Sequence, residues 1–408
     1  MTTVDGRRRG LFFILIATAV AGVSGYAIQL LAPALLHDAE AYVAFSVFWS
    51  LLYLFVGAIG GVQQEITRAV HPAENAERVS SLRIFTVVAA GVLVLVALVV
   101  GVILAPTTLA VDPVGLTAWF AIGLVGYLGV ATLSGVLYGL SFWSMIATLT
   151  IVDAVVRGLL VTVGLLLGGA TSLLAAAIAM PFTAALVVVW GVARKRVVGR
   201  FRLDVDVRRL ALNVMGTVVA AAATGVLVTG LPFLLRLSLP DAPIATLASL
   251  IAVITITRAP LIVPLMALQS YLIVDFRSAG AAVWPRLARY VALMAVTAAA
   301  ACVLAWFFGS WAISAVSSGR YVVSDVTIVC IVASAGLVGL LCITGSALLS
   351  KGRHGFFVGG WVAAAMFTVL ALQIPLDTIP RTLTALLAGP VVGLMVHVLG
   401  VRPRTPQL

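Results

Sequence analysis

The sequence predicts an all-α integral membrane protein of about twelve transmembrane helices in two six-helix lobes, and three observations carry that prediction. Apolar residues make up 62% of the 408-residue chain and charged residues only 10%, against roughly 25% charged in a soluble domain, and the mean hydropathy is +1.20. The apolar residues fall in runs near 20 residues long, the length of helix that crosses about 30 Å of hydrocarbon. Basic residues gather in alternate loops between those runs, as the positive-inside rule requires of one consistent threading.

Arg7, Arg8 and Arg9 lead into the first run, 11–36. It is too long for a signal-peptide core and is not followed by a clear small-residue cleavage site, so it is read as a retained first helix. The remaining runs lie near 42–66, 84–105, 116–140, 143–168, 172–193, 211–236, 246–273, 290–310, 325–350, 355–374 and 382–401. Lipid offers unpaired backbone groups no partner, so each such run is expected to be helical throughout. The breaks on either side of the fifth run rest only on Ser141-Phe142 and on Gly168-Gly169-Ala170-Thr171. Ten or eleven helices is the alternative count.

Loop charge tests the threading. Arg7–Arg9, then Arg68, Arg78 and Arg83, then the cluster Arg194 to Arg209, then Arg277, Arg286 and Arg289, then Lys351 and Arg353, and finally Arg402 and Arg404 all fall on one side. The other side keeps only Arg320 and Arg381, with Arg236 near it, beside acidic or neutral loops such as His37-Asp38-Ala39-Glu40. Both termini are therefore expected in the cytoplasm. The longest charged stretch divides the chain into an N-terminal lobe, 1–193, a basic linker, 194–210, a C-terminal lobe, 211–401, and a tail, 402–408. Because six is even, the lobes would share one orientation, a parallel repeat. The Arg-dominated basic residues, with abundant Ala, Val and Gly, hint at GC-rich coding and a bacterial plasma membrane.

Charge inside the runs is rare, and an Arg at the bilayer centre costs on the order of 2.5–3.5 kcal/mol even on insertion scales, so it tends to face a cavity or a partner. Asp153 and Arg157 lie four residues apart on one face of the fifth helix. Arg258 lies in the eighth helix, in Thr255-Ile256-Thr257-Arg258-Ala259-Pro260, with no acid within a turn. A guanidinium suits bidentate contact with phosphate, so Arg157, Arg258 and Asp153 form the candidate substrate-binding set. A self-neutralised structural pair is the equal alternative for Asp153 and Arg157. Gln64, Glu65 and Arg68 at the end of the second helix, with Gln269 after the eighth, form a candidate cytoplasmic gate, against ordinary interfacial solvation. Pro260 and Pro264 allow kinks near Arg258, and Gly57/Gly61, Gly135/Gly139, Gly164/Gly168 and Gly355/Gly359 have the spacing of close helix packing.

No nucleotide fingerprint, H-E-x-x-H or histidine pair at ligand spacing is present. His397 reads as a packed residue, and Cys302, Cys330 and Cys342 as small core residues. No catalytic residue, metal or cofactor is expected, and the basic loops report orientation rather than a nucleic-acid partner.

The opening Gly22-Val23-Ser24-Gly25-Tyr26, the aromatic second helix ending Gly60-Gly61-Val62-Gln63-Gln64-Glu65-Ile66-Thr67-Arg68, and Asp153-Ala154-Val155-Val156-Arg157 resemble the polysaccharide flippases of the multidrug/oligosaccharidyl-lipid/polysaccharide exporter superfamily. The resemblance implies a MATE-like fold, two lobes around a central cavity that opens to each side in turn. It also implies a polyprenyl-diphosphate-linked oligosaccharide as cargo, met by Arg157 and Arg258, and membrane lipid, a polysaccharide polymerase or glycosyltransferases as partners. The first helix lacks the internal basic residues of several such relatives. The two extra helices of peptidoglycan-precursor flippases are also missing, which argues against that substrate. A drug or cation antiporter of the same superfamily would be expected to hold membrane carboxylates, for which Asp153 is the one candidate. A membrane glycosyltransferase or polymerase would be expected to carry a larger outward loop than Ser310–Asp325.

Overall fold

The computed structural model describes residues 3–73, 80–279 and 283–401. The side chains of Arg7, Arg8 and Arg9, residue Arg78, and Arg402 and Arg404 in the expected tail lie outside the described set. The helices are α1 Thr3–Leu35, α2 Ala39–Ala69, α3 Ser80–Leu104, α4 Pro113–Gly139, α5 Trp143–Leu166, α6 Thr171–Val197, α7 Val207–Val228, α8 Leu231–Ser238, α9 Ile244–Ser278, α10 Val283–Val316, α11 Asp325–Ser350, α12 His354–Ala371 and α13 Thr378–Val401. Twelve of them, all but α8, are long and apolar enough to cross a membrane, which makes this a multi-pass membrane protein.

Both weakly marked breaks are true helix ends. Ser141 turns the chain between α4 and α5 at φ 59°, and Gly168 turns it between α5 and α6 at φ 63°. A left-handed backbone is open to glycine without steric penalty and is uncommon elsewhere. The scarce acids serve helix starts: Asp38 accepts from Glu40 N and Ala41 N, Asp112 from Gly115 N, and Asp206 from Arg209 N. Each satisfies amides that a helix leaves unpaired and places negative charge at its positive end. The seventh run differs from expectation. It is cut into α7 and the short α8, because Gly230 precedes and Pro232 opens the second piece, and proline has no N–H with which to continue α7.

A short ribbon was not foreseen. β1, Val70–Pro72, pairs antiparallel with β2, Phe201–Leu203, joining the end of α2 to the basic segment after α6. Strands this short carry no alternation by which a sequence could announce them.

By contacts the chain forms two compact units, Met1–Gly225 and Val226–Leu408. The division falls within α7 rather than in the 194–210 segment, because the first part of α7 packs on α2. Thr217 Oγ1 lies 2.9 Å from Gly61 O, and a Cβ on Gly61 would meet the Thr217 backbone at 2.7 Å. Within the first unit α4 is central, with α2, α3 and α6 packed on it and α5 on α6. Within the second, α11 is central, with α9, α10 and α13 packed on it and α12 on α13. The same contacts recur for α2 to α6 in the first unit and for α9 to α13 in the second, whereas α1 packs on α5 and α7 is divided between the units.

The small residues that permit close packing are partly those expected. Gly135 and Gly139 let α4 approach Ile66 of α2 and Val70 of β1. Gly355, by contrast, faces open space, and the α12–α13 contact runs through Gly360, Gly389 and Gly393 instead. A repeat of small residues marks a face but does not say which face is used. His397 is packed, as expected, and fully buried. Its Nδ1 meets Thr344 Oγ1 of α11 at 2.8 Å, its Nε2 lies 3.2 Å from Phe357 O of α12, and its ring stacks on Phe357. One side chain thus ties three helices. Gly360→Ala would put a methyl 2.1 Å from that ring, so we expect it to lower the thermal midpoint in detergent by several degrees, roughly the effect of 1–3 kcal/mol of overpacking. Gly355→Ala should leave the midpoint unchanged or raise it.

Candidate functional site

Three groupings among the described residues hold charged side chains singled out in the sequence, two in the first unit and one in the second.

The first is built on α5. Asp153 and Arg157 form an ion pair across one helical turn, with Arg157 4% exposed. The guanidinium carbon lies 4.1 Å from the centroid of the Phe182 ring of α6 and 5.4 Å from that of Tyr53 of α2. The flat cation is therefore held against aromatic faces as well as a carboxylate, and a desolvated cation–π contact is worth about 2 kcal/mol. Tyr127 meets Phe182 edge to face, and Trp49 stacks on Tyr53, which fixes both rings. The pair lines a cavity of about 320 Å³ within this unit, bounded also by Ser24, Gln63, Tyr127, Ser134 and Thr150. Gly158 lets α1 come close enough to wall it: a Cβ there would meet Ser24 Oγ at 2.5 Å, and Ser24 Oγ donates to Ala154 O at 2.8 Å. Arg157 Nε is buried without a hydrogen-bond partner.

The second grouping sits at the end of α2. Glu65, 5% exposed, accepts from Arg68 Nε at 3.0 Å and Nη2 at 2.7 Å, and from Asn213 Nδ2 of α7 at 2.8 Å. Arg68 Nη1 reaches Asp204 beyond β2 at 3.2 Å, and His71 Nε2 lies 3.6 Å from the same carboxylate. Of the four candidate gate residues the structure brings Glu65 and Arg68 together. Gln64 is exposed on α2, and Gln269 is half-buried on α9 of the other unit. Sequence reasoning missed Asn213 and Asp204, which are remote from α2 along the chain and meet it through the start of α7 and the ribbon, and His71 just beyond its end.

The third is Arg258 on α9, also 4% exposed. Its Nη2 donates to Leu227 O at 3.2 Å, a carbonyl in the last turn of α7, where backbone acceptors are left over and the helix dipole is negative. No carboxylate pairs with Arg258 among the described residues. Nε and Nη1 are buried with no hydrogen-bond partner. Pro260 and Pro264 follow on the same helix. Two unsatisfied donors on a buried cation have the chemistry to hydrogen-bond an anion, and leaving them unmade costs more than an ordinary hydrogen bond returns. No group of three or more His, Cys, Asp or Glu that could hold a metal ion occurs among the described residues.

No family model matches the sequence. Full-length relatives do. "Uncharacterized protein Mb3654" of Mycobacterium bovis (strain ATCC BAA-935 / AF2122/97) is 31% identical over 392 residues, 93% of this chain and 89% of that protein. "Uncharacterized protein Rv1510" of Mycobacterium tuberculosis (strain ATCC 25618 / H37Rv) is 30% identical over 393 residues, 94% of this chain and 89% of that one. The chain belongs to the family of these mycobacterial proteins. Among solved structures, this family's fold is like that of the lipid II flippase MurJ in an inward closed conformation, with TM-score 0.70 at 11% identity over 96% of this chain and 88% of that one. It is also like an inward-facing multidrug resistance MATE family transporter of the MOP superfamily, with TM-score 0.60 at 11% identity over 92% and 93% of the two chains. The MATE-like fold expected of the sequence is therefore the fold found.

Two outcomes are expected. Asp153→Ala strands Arg157 and should destabilise the protein by about 3–5 kcal/mol, with most of the loss recovered in Asp153→Ala/Arg157→Met, as read by unfolding in mixed micelles. Glu65→Gln should leave the helices intact while raising amide hydrogen exchange across residues 201–213, because the charged acceptor that gathers Arg68 and Asn213 is gone.

Proposed function

We propose that this protein is a transporter, not an enzyme, that carries a polyprenyl-diphosphate-linked oligosaccharide from the cytoplasmic to the outer leaflet of a bacterial plasma membrane by alternating access, for cell-surface polysaccharide synthesis. The observation that carries the reading is Arg258, a buried guanidinium with two unpaired donors and no acid beside it. A diphosphate presents the oxygens such a fork accepts in pairs. Arg157 is the weaker anion site, because Asp153 already occupies one edge of it. The likeness to MurJ, described as a lipid II flippase, supports a lipid-linked cargo of this general kind. The basic loops support cytoplasmic termini. Glu65 and Arg68, with the groups they gather, would form the closed state of a cytoplasmic gate, to which Gln64 and Gln269 would contribute surface. The partners of such a cycle are the glycosyltransferases that make the cargo and the polymerase that consumes it.

One observation favours a second reading. Asp153 borders a cavity, as the carboxylate of a drug or cation antiporter would, and MATE transporters share the fold. The two readings part on which residue is indispensable.

In liposomes carrying a polyprenyl-diphosphate oligosaccharide, Arg258→Ala is expected to slow leaflet transfer about tenfold to a hundredfold, the loss of one or two charge-assisted hydrogen bonds, and Arg157→Ala to slow it less. A folded wild type that transfers no such glycan but exchanges protons or sodium for an organic cation, dependent on Asp153, would replace the flippase with the antiporter.

A further inference from the structure

In the second unit, α10 and α13 both pack on α11 but make little contact with each other among the described residues. The gap above α11 is a cavity of about 330 Å³ lined by Trp284, Leu287 and Val291 on one wall, Leu394 and Val398 on the other, and Thr344 in the floor. Leu394 and Val398 also belong to a second hollow along the outer face of α13, so the gap continues as a groove. Its outer margin is apolar and exposed at Met395, Val398 and Leu399 on α13. In a membrane-spanning unit that face meets hydrocarbon.

The mouth of the groove is different in kind. Trp284 begins α10, and Lys351 follows the last turn of α11. Lys351 Nζ lies 4.7 Å over the Trp284 ring. No carboxylate lies within ion-pair reach of Lys351 among the described residues. Partial burial, and then the neighbouring charge of Arg353, hold its ammonium below the usual lysine range. Arg353 itself donates to Gly400 O at the end of α13, which places a second cation at the same end of the groove. An indole at the interface, a lysine with no carboxylate in ion-pair reach among the described residues and a groove with almost no polar lining match the parts of one kind of molecule: a phosphate diester joined to a hydrocarbon chain.

We propose that this groove is a binding site for an anionic glycerophospholipid, with one acyl chain between α10 and α13 over Thr344 and the headgroup phosphate against Lys351. The lipid completes the lateral packing that α10 and α13 do not supply to each other, and its phosphate provides the counter-charge missing at Lys351. The site lies wholly within the second unit and does not depend on what the protein transports.

The test is retention of lipid by the full-length protein in detergent micelles, measured by native mass spectrometry with phosphatidylglycerol, phosphatidylcholine or inorganic phosphate as the added probe. Wild type is expected to retain phosphatidylglycerol at least fivefold better than phosphatidylcholine and to take up no phosphate alone. Lys351→Gln, a change at the surface, should remove that preference. Val398→Trp, which fills the groove and keeps every charge, should lower retention of both lipids, with circular dichroism reporting that each variant is folded. Equal retention by wild type and Lys351→Gln overturns the headgroup assignment. Uptake of phosphate alone, or a lipid-independent dimer by light scattering that Val398→Trp dissolves, overturns the lipid as occupant.

Discussion

A guanidinium out of water must find compensation, and that constraint organises the interior of this protein. Hydrocarbon supplies no partner for a polar group, so backbone amides and carbonyls close on themselves in helices, and the few acids are spent largely on helix starts or on cations. Arg157 and Arg258 meet the constraint in different ways. Arg157 is satisfied from its own helix by Asp153 and from two others by aromatic faces. Arg258 has only a carbonyl at the end of α7 and keeps two donors unmade. The second solution is the less stable for an isolated chain, and it is the one on which the proposed anionic cargo depends.

The same accounting explains the end of α2. Glu65 is nearly out of solvent, and its charge is tolerable because Arg68 and Asn213 both donate to it. Three separate stretches of chain, the end of α2, the segment after β2 and the start of α7, are thereby held by one carboxylate and its neighbours. The β1–β2 ribbon is the backbone counterpart of that linkage. It consumes polar groups in a region where the chain leaves its helices and still must pair its amides.

Packing in the two units shares a plan because each has a central helix, α4 or α11, on which three others lie, with α5 or α12 packed outside them. With lipid as apolar as leucine, helices gain from close approach more than from burial, so small residues decide the contacts. Gly61, Gly135 and Gly360 stand where another helix or a ring would collide with a side chain. His397 adds directed polar contacts within the second unit. Where α10 and α13 part, no such residue closes the gap, and the groove results.

How much of this was legible in advance follows from the range of the forces involved. Hydrophobic length and loop charge are local properties of the chain, so the sequence by itself pointed to about twelve spanning helices and the Asp153–Arg157 pair one turn apart, while the breaks at Ser141 and Gly168, and with them the choice of twelve over ten or eleven, waited on the backbone. The sequence also singled out Arg258 as a cation with no acid nearby, and His397 as a packed side chain. Contacts between segments far apart in sequence depend on which helix faces which, and no local pattern encodes that. Only the tertiary structure therefore decided that α7 joins α2 through Thr217 and Asn213, that Asp204 meets both Arg68 and His71, and that Gly360 rather than Gly355 faces α13. It likewise placed Tyr53 and Phe182 over Arg157, and set Lys351 on Trp284 above an open groove.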